Sequence, residues 1–226
     1  MGSKYKKVLI IDNYPLMVQV YKTVLRKIEF SHKLSFKTEE AKSYEKGLAL
    51  LSRMETRAQN IDLVFLDLHI STSQRDGYTE GRAIGLNIRK RFPRTKIMVK
   101  ADYKNNFQIN TILRSIKPEG FIIMADVDMV VLIHAIIDVL NDPPYYSRSV
   151  LKSFCKSKGH TILLDVWDER LLYELSRGIK MKDLSGILPF SLATIEKRKK
   201  NIKSRFGIEG SDDNMLLEKA REYGFI

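Results

Sequence analysis

Two acidic side chains stand directly after short apolar runs in the first third of the chain: VLII (8–11) leads into Asp12 and Asn13, and LVFL (63–66) leads into Asp67. Runs of this kind suit the buried strands of a parallel sheet, where a ligand site gathers at the carboxyl ends of the strands. One acid at such an end is ordinarily a loop or capping residue, whereas the two together point to a site. A second concentration of chemistry lies far downstream. Segment 191–205 holds Lys197, Arg198, Lys199, Lys200, Lys203 and Arg205 against the single acid Glu196. A basic run is often no more than a solvated helix face. Here, residues 165–226 as a whole carry twelve basic and eleven acidic side chains, so the positive charge is focused on one short stretch.

The elements around that stretch follow in quick succession. Leu171, Leu172 and Leu175 pattern a helix that Gly178 ends, glycine being suited to the left-handed conformation of a helix C-terminus. Leu184 and Leu188, four apart, pattern a second short helix that Pro189 stops. Ser191 is placed to cap a third by accepting a backbone N–H near Thr194. Ile195, Ile202 and Phe206 recur at helical spacing and point inward, which turns Glu196, Lys197, Lys200 and Lys203 outward, with Thr194 near the start and Arg198, Lys199 and Arg205 at the flanks. This is the anatomy of a DNA-reading helix-turn-helix. In a major groove Glu196 would accept from a cytosine amino group, Lys197 and Lys200 would donate to guanine, and Thr194, Arg198 and Lys203 would hold phosphates.

The first 140 residues alternate strand and helix patterns. LSF (34–36), KIMV (96–99) and GFII (120–123) join the two runs above as strands, with amphipathic stretches near 15–28, 43–54, 79–91, 106–116 and 127–140. Five such units predict an α/β domain built on a doubly wound, five-stranded parallel sheet, followed by an all-α helix-turn-helix domain. The expected bounds are 4–141 for the first domain, 142–164 for a basic linker with room for one helix, and 165–226 for the second. Across 226 residues, 44% hydrophobic, there is enough apolar material for two modest cores. The net charge of +12 fits a polyanionic partner without distinguishing nucleic acid from an anionic membrane. No apolar run approaches a membrane span and MGSKYKK lacks the core of a signal peptide, so a cytoplasmic protein without membrane partners is expected. Cys155 stands alone, which excludes an intrachain disulfide and a cysteine zinc cluster and favours a packing role.

From Leu164 to Ile226 the chain resembles the LuxR-type DNA-binding domain that closes NarL/FixJ-type bacterial response regulators. Gly178, Lys182 to Leu184, Leu188, Ser191, Thr194 to Glu196, Ile202, Phe206 and Gly207 carry the resemblance. It departs at Asp165, where a Ser or Thr cap is usual, and at Trp167 and Asp168 in place of an Arg-Glu pair. Residues 4–140 resemble the receiver domain of the same proteins. That resemblance implies Asp67 as acceptor of a phosphoryl group from a histidine kinase, and magnesium held by Asp12, Asp67 and the backbone carbonyl of His69. Several positions depart from the pattern. Asn13 stands where a second acid is usual, Lys100 where a Thr or Ser follows the fourth strand, and Met124 where a lysine follows the fifth. HISTSQRDG (69–77) replaces a shorter turn. Phe121 matches the family's switch aromatic, although a strand phenylalanine is commonly plain core.

Asn13 weakens the attraction for magnesium, and Met124 cannot make the charge-assisted bond that lysine makes. Lys100 would either supply the missing cation or pair permanently with Asp67. Two mechanisms share one output, a homodimer on a two-half-site operator. In one, phosphorylation of Asp67 switches the receiver. In the other, which Asn13, Lys100 and Met124 favour, the receiver is degenerate and serves as a dimerisation or partner-binding module. An adaptor without DNA binding is a third reading, and would show no salt-sensitive association with duplex DNA. An enzyme is not expected: aspartyl phosphatases place a second aspartate where this chain has His69.

Overall fold

The structure is a computed structural model, and it describes residues 5–70, 77–102, 106–141, 144–158, 162 and 164–226. The chain divides into two compact units, Met1–Lys104 with Ile112–Val150, and Asn105–Thr111 with Leu151–Ile226.

In the first unit, strands β1 (Lys6–Ile11), β2 (Phe36–Ala41), β3 (Leu63–Asp67), β4 (Lys96–Ala101), β5 (Gly120–Ile123) and β6 (Tyr145–Tyr146) form one parallel sheet in the order β2-β1-β3-β4-β5-β6. Helices α1 (Pro15–His32), α2 (Tyr44–Thr56), α3 (Gly77–Arg91), α4 (Asn106–Ser115) and α5 (Met129–Asn141) connect the strands. Central strands β1, β3 and β5 are almost wholly buried, as a sheet covered on both faces requires. Val8, Ile10, Phe65, Met98 and Ile122 pack with Val24, Ile28, Ile136 and Val139 of α1 and α5, and Tyr21 stacks on Phe65 at 4.3 Å. Opposite them, α3 comes so near the end of β3 that a Cβ at Gly81 would lie 2.4 Å from the Leu68 carbonyl oxygen. The strand order reverses between β1 and β3, which puts the switch-point crevice beside the end of β3.

In this sheet two elements differ from the sequence expectation. The sheet has six strands rather than five, because Tyr145–Tyr146, within the expected linker, pairs with Gly120 and Phe121 of β5. Strand β2 runs from Phe36 to Ala41 rather than over 34–36. It is an edge strand, and its polar Lys37, Thr38, Glu39 and Glu40 hid it from a search for apolar runs.

After α6 (Arg148–Lys158), the second unit contains α7 (Val166–Ser176), a 3₁₀ turn at Met181–Gly186, α8 (Leu192–Arg205) and α9 (Asp213–Glu222). Leu171, Leu172, Leu184, Leu188, Ile195, Ile202, Phe206, Leu216 and Ala220 form its core. The middle element is 3₁₀ rather than the expected α-helix, though Leu184 and Leu188 are both buried. Gly178 takes φ +80, with the Ile179 N–H bonding back to the Glu174 carbonyl, so it closes α7 in the left-handed conformation. Cys155 is exposed, not packed. Among the described residues no helix is long and apolar enough to cross a membrane.

Candidate receiver site and nucleic-acid interface

Strand register assembles the first site. Asp67 pairs with Lys100 across β3 and β4, and the β1–β3 pairing ends at Ile11 and Leu66, one step before Asp12 and Asp67. Neighbouring strands lie about 4.8 Å apart, so three side chains rise together from adjacent strand ends. Lys100 Nζ lies 3.0 Å from Asp67 Oδ2 and 3.4 Å from Asp12 Oδ2. All three are buried, with Lys100 3% exposed, Asp67 2% and Asp12 1%. Each acid gives its other oxygen to the backbone: Tyr14 N–H donates to Asp12 Oδ1 at 2.8 Å, and His69 N–H donates to Asp67 Oδ1 at 3.0 Å. Asp102, which follows β4 and is exposed, approaches the ammonium at 3.8 Å.

This cluster holds two buried carboxylates and one buried ammonium. Burial pushes the Asp12 carboxyl up to about 6, Lys100 opposing the rise and Asp67 adding to it. For Lys100, burial works to lower the pKa, but Asp67, Asp12 and Asp102 outweigh it and hold the ammonium above its ordinary value. Burial lowers the His69 imidazole, against the pull of Asp67 and Asp102. A cleft of about 430 Å³ opens over the cluster, lined by Asn13, Tyr14, Met17, Asp67, His69, Lys100, Asp102 and Met124.

The structure thus brings together Asp12, Asn13, Asp67, His69, Lys100 and Met124. Phe121 is not among them; it is fully buried in β5. Asp102 was missed by the sequence reading, although an acid two residues beyond Lys100 was a visible signal. Most of the unusual loop, residues 71–76, lies outside the described residues. Ligand atoms of Asp67, His69 and Asp102 lie within 4.8 Å of one another, a spacing that would suit a metal ion. Charge argues otherwise, since a dication there would meet the fixed ammonium of Lys100, 3.0 Å from Asp67 and 3.8 Å from Asp102. The residues present therefore do not fit a resident magnesium ion.

The second site is the outer face of α8. Ser191 caps the helix by accepting the Thr194 N–H at 3.3 Å, and Ile195 and Ile202 are buried. Thr194, Glu196, Lys197 and Lys200 are exposed. The remaining cations divide differently from the sequence expectation. Arg198 donates to Asp165 at 2.8 Å and Asp168 at 2.6 Å, and sits 4.6 Å from the centre of the Phe190 ring. Lys199 and Lys203 pair with Asp213 at 2.9 and 3.0 Å, and Lys203 also donates to the Ser211 carbonyl. Asp165 caps α7 by accepting the Trp167 and Asp168 N–H groups. Burial works to raise its carboxyl, but the Arg198 hydrogen bond and those N–H groups bring it below its ordinary range. Arg198 and Lys203, expected on phosphates, are thus engaged in holding α8 against its neighbours. Lys197 and Lys200 have no such partner among the described residues. In α9, Leu216 and Ala220 are buried in their own unit's core and Met215 is exposed.

No family model matches the sequence, and no curated protein does. Solved structures do match. A structure of two RcsB dimers bound to two parallel DNAs superposes with a TM-score of 0.60 at 18% identity, over 96% of this chain and 98% of that one. RcsB of Salmonella typhimurium, a response regulator, gives 0.54 at 18% identity over 97% and 99%. The isolated REC domain of RcsB from Salmonella enterica serovar Typhimurium gives 0.51 at 17% identity, over 66% of this chain and 98% of its own. At these identities the likeness is one of fold. The chain has the two-part response-regulator fold, a receiver-type α/β unit followed by a helical unit.

Proposed function

We propose that the protein is a DNA-binding transcription regulator of the response-regulator type, reading duplex DNA as a homodimer through α8, with a receiver that works without phosphorylation. The observation that carries the DNA reading is the division of charge on α8: Lys197 and Lys200 stand exposed and, among the described residues, unpaired beside Thr194 and Glu196, while Arg198, Lys199 and Lys203 brace the helix from its flanks. A rigid helix presenting two free cations and a carboxylate suits contacts to guanine acceptors and a cytosine amino group. The full-length likeness of fold to RcsB, described as dimers on DNA, supports the same reading. For the receiver, support comes from Lys100, whose ammonium already engages both acids that phosphoryl transfer would use.

Selection of duplexes from a random pool, followed by anisotropy titrations at several salt concentrations, tests the DNA reading. The wild type is expected to bind with a steep salt dependence. Replacing both Lys197 and Lys200 by Ala should weaken binding at least tenfold and reduce the slope of log K against log salt by about 1–2. Specific binding that survived both changes with its salt dependence intact would rule out α8 as the reading helix. For the receiver, intact mass after incubation with magnesium and a small phosphodonor is expected to show no adduct. A phosphoryl adduct missing from Asp67→Asn would make this a phosphorylation-driven switch instead.

A further inference from the structure

We propose that Lys100 is the receiver's own built-in cation, its ammonium held between Asp12 and Asp67 in place of a divalent ion, and that removing it uncovers a latent divalent-cation site. The inference deepens the phosphorylation-independent reading above and rests on it.

The geometry has the form of a cation site already filled. Both acids turn the same oxygen, Oδ2, to Lys100 Nζ, at 3.0 and 3.4 Å, while each Oδ1 is occupied by a backbone N–H. The register pair Asp67 and Lys100 makes this neighbour relation a property of the sheet rather than of a loop. Lysine reaches the acids along a stem that is itself buried, so the charge arrives covalently and cannot be exchanged. Its single positive charge leaves the two carboxylates one negative charge in excess. Without Lys100 the excess is two, within a cleft that also carries Asp102 and His69. Hard carboxylate oxygens so placed are what a divalent cation of the magnesium or manganese type requires.

The test is binding of Mn²⁺ to the full chain, followed by loss of the free-ion electron paramagnetic resonance signal. The wild type is expected to leave Mn²⁺ free up to millimolar concentrations. Lys100→Thr is expected to take up one equivalent at least tenfold more tightly, and Lys100→Thr with Asp67→Asn to lose that uptake. Lys100→Thr should also melt lower than the wild type without ion and recover when Mn²⁺ is added. Should Lys100→Thr need Mn²⁺ to fold, that dependence is itself the expected result. Lys100→Gln is the second variant, since it keeps a hydrogen-bond donor beside Asp67 while losing the charge. Wild-type binding as tight as that of the variants, or no uptake by either variant, would overturn the inference. The outcomes separate from the parent reading: wild-type protein that is neither phosphorylated nor metal-binding, with variants that also bind nothing, removes the inference and leaves the reading standing.

Discussion

The receiver site and α8 both set lysines and arginines against aspartates, and they do so to opposite ends. At the strand ends the cation is buried and the acids outnumber it, so the charges are spent on one another inside the fold. On α8 the cations outnumber the acids; four, Arg198, Lys199, Lys203 and Arg205, are tied to Asp165, Asp168 and Asp213, and two are left facing solvent. A basic residue therefore acquires its role from its partners and not from its type. Lys100 resembles a reagent in the sequence and is a brace in the structure, whereas Lys200 is available because Lys199 and Lys203 do the bracing.

The comparison is broken most directly at Lys100. Lys100→Met removes the one buried cation shared by two buried carboxylates, and breaking a buried pair from one side costs roughly 3–5 kcal/mol. Urea unfolding at pH 7 should register a loss of that size. A loss below about 1 kcal/mol would mean that the acids do not depend on Lys100.

A smaller effect is expected from pH. Asp12 has its folded carboxyl at about 6 against an ordinary 3.8, so the folded state binds its proton more tightly than the unfolded state does. The contribution is fully present below pH 3.8 and is lost as pH rises through about 6, amounting to roughly 3 kcal/mol at most. Asp12→Asn should flatten the decline in unfolding free energy between pH 4 and 7. A decline unchanged in Asp12→Asn would assign it to other groups.

Much of this was legible in the sequence because it rests on local pattern. Apolar runs located β1, β3, β4 and β5, and the acids at their ends followed from that placement. The pairing of Lys100 with Asp67 stood as one of two readings, since counting along β4 brought the lysine to the site without showing how far its ammonium reached. Edge strand β2 escaped because solvent tolerates its polar residues, and β6 because two residues carry no period. The bracing of α8 was illegible for a different reason. Arg198 meets Asp165 and Asp168 across some thirty residues of sequence, and no periodicity connects them.

That bracing sharpens the comparison at Arg198. Arg198→Ala removes two charge-assisted hydrogen bonds and a ring contact on a partly exposed side chain, which together should cost about 1–2 kcal/mol. Because the loss takes this cation from Asp165 and Asp168 beside α8, leaving Asp168 only Arg205 at 3.9 Å among the ion pairs of the described residues, DNA affinity is expected to fall as well, so Arg198→Ala alone cannot separate bracing from reading. Thermal unfolding separates them when it is compared with the remaining pair.

Lys197→Ala with Lys200→Ala carries the smallest expected effect on stability and the most discriminating one. Both side chains are exposed and make no internal pair among the described residues, and alanine is the better helix former, so the double variant should stay within about 0.5 kcal/mol of the wild type. If α8 divides its cations as the structure places them, Arg198→Ala lowers the melting temperature and this double variant does not, although both weaken DNA binding. Equal destabilisation by the two would show that Lys197 and Lys200 also belong to the brace. The distinction between an internally spent charge and an available one would then hold only between the two units, and not along α8 itself.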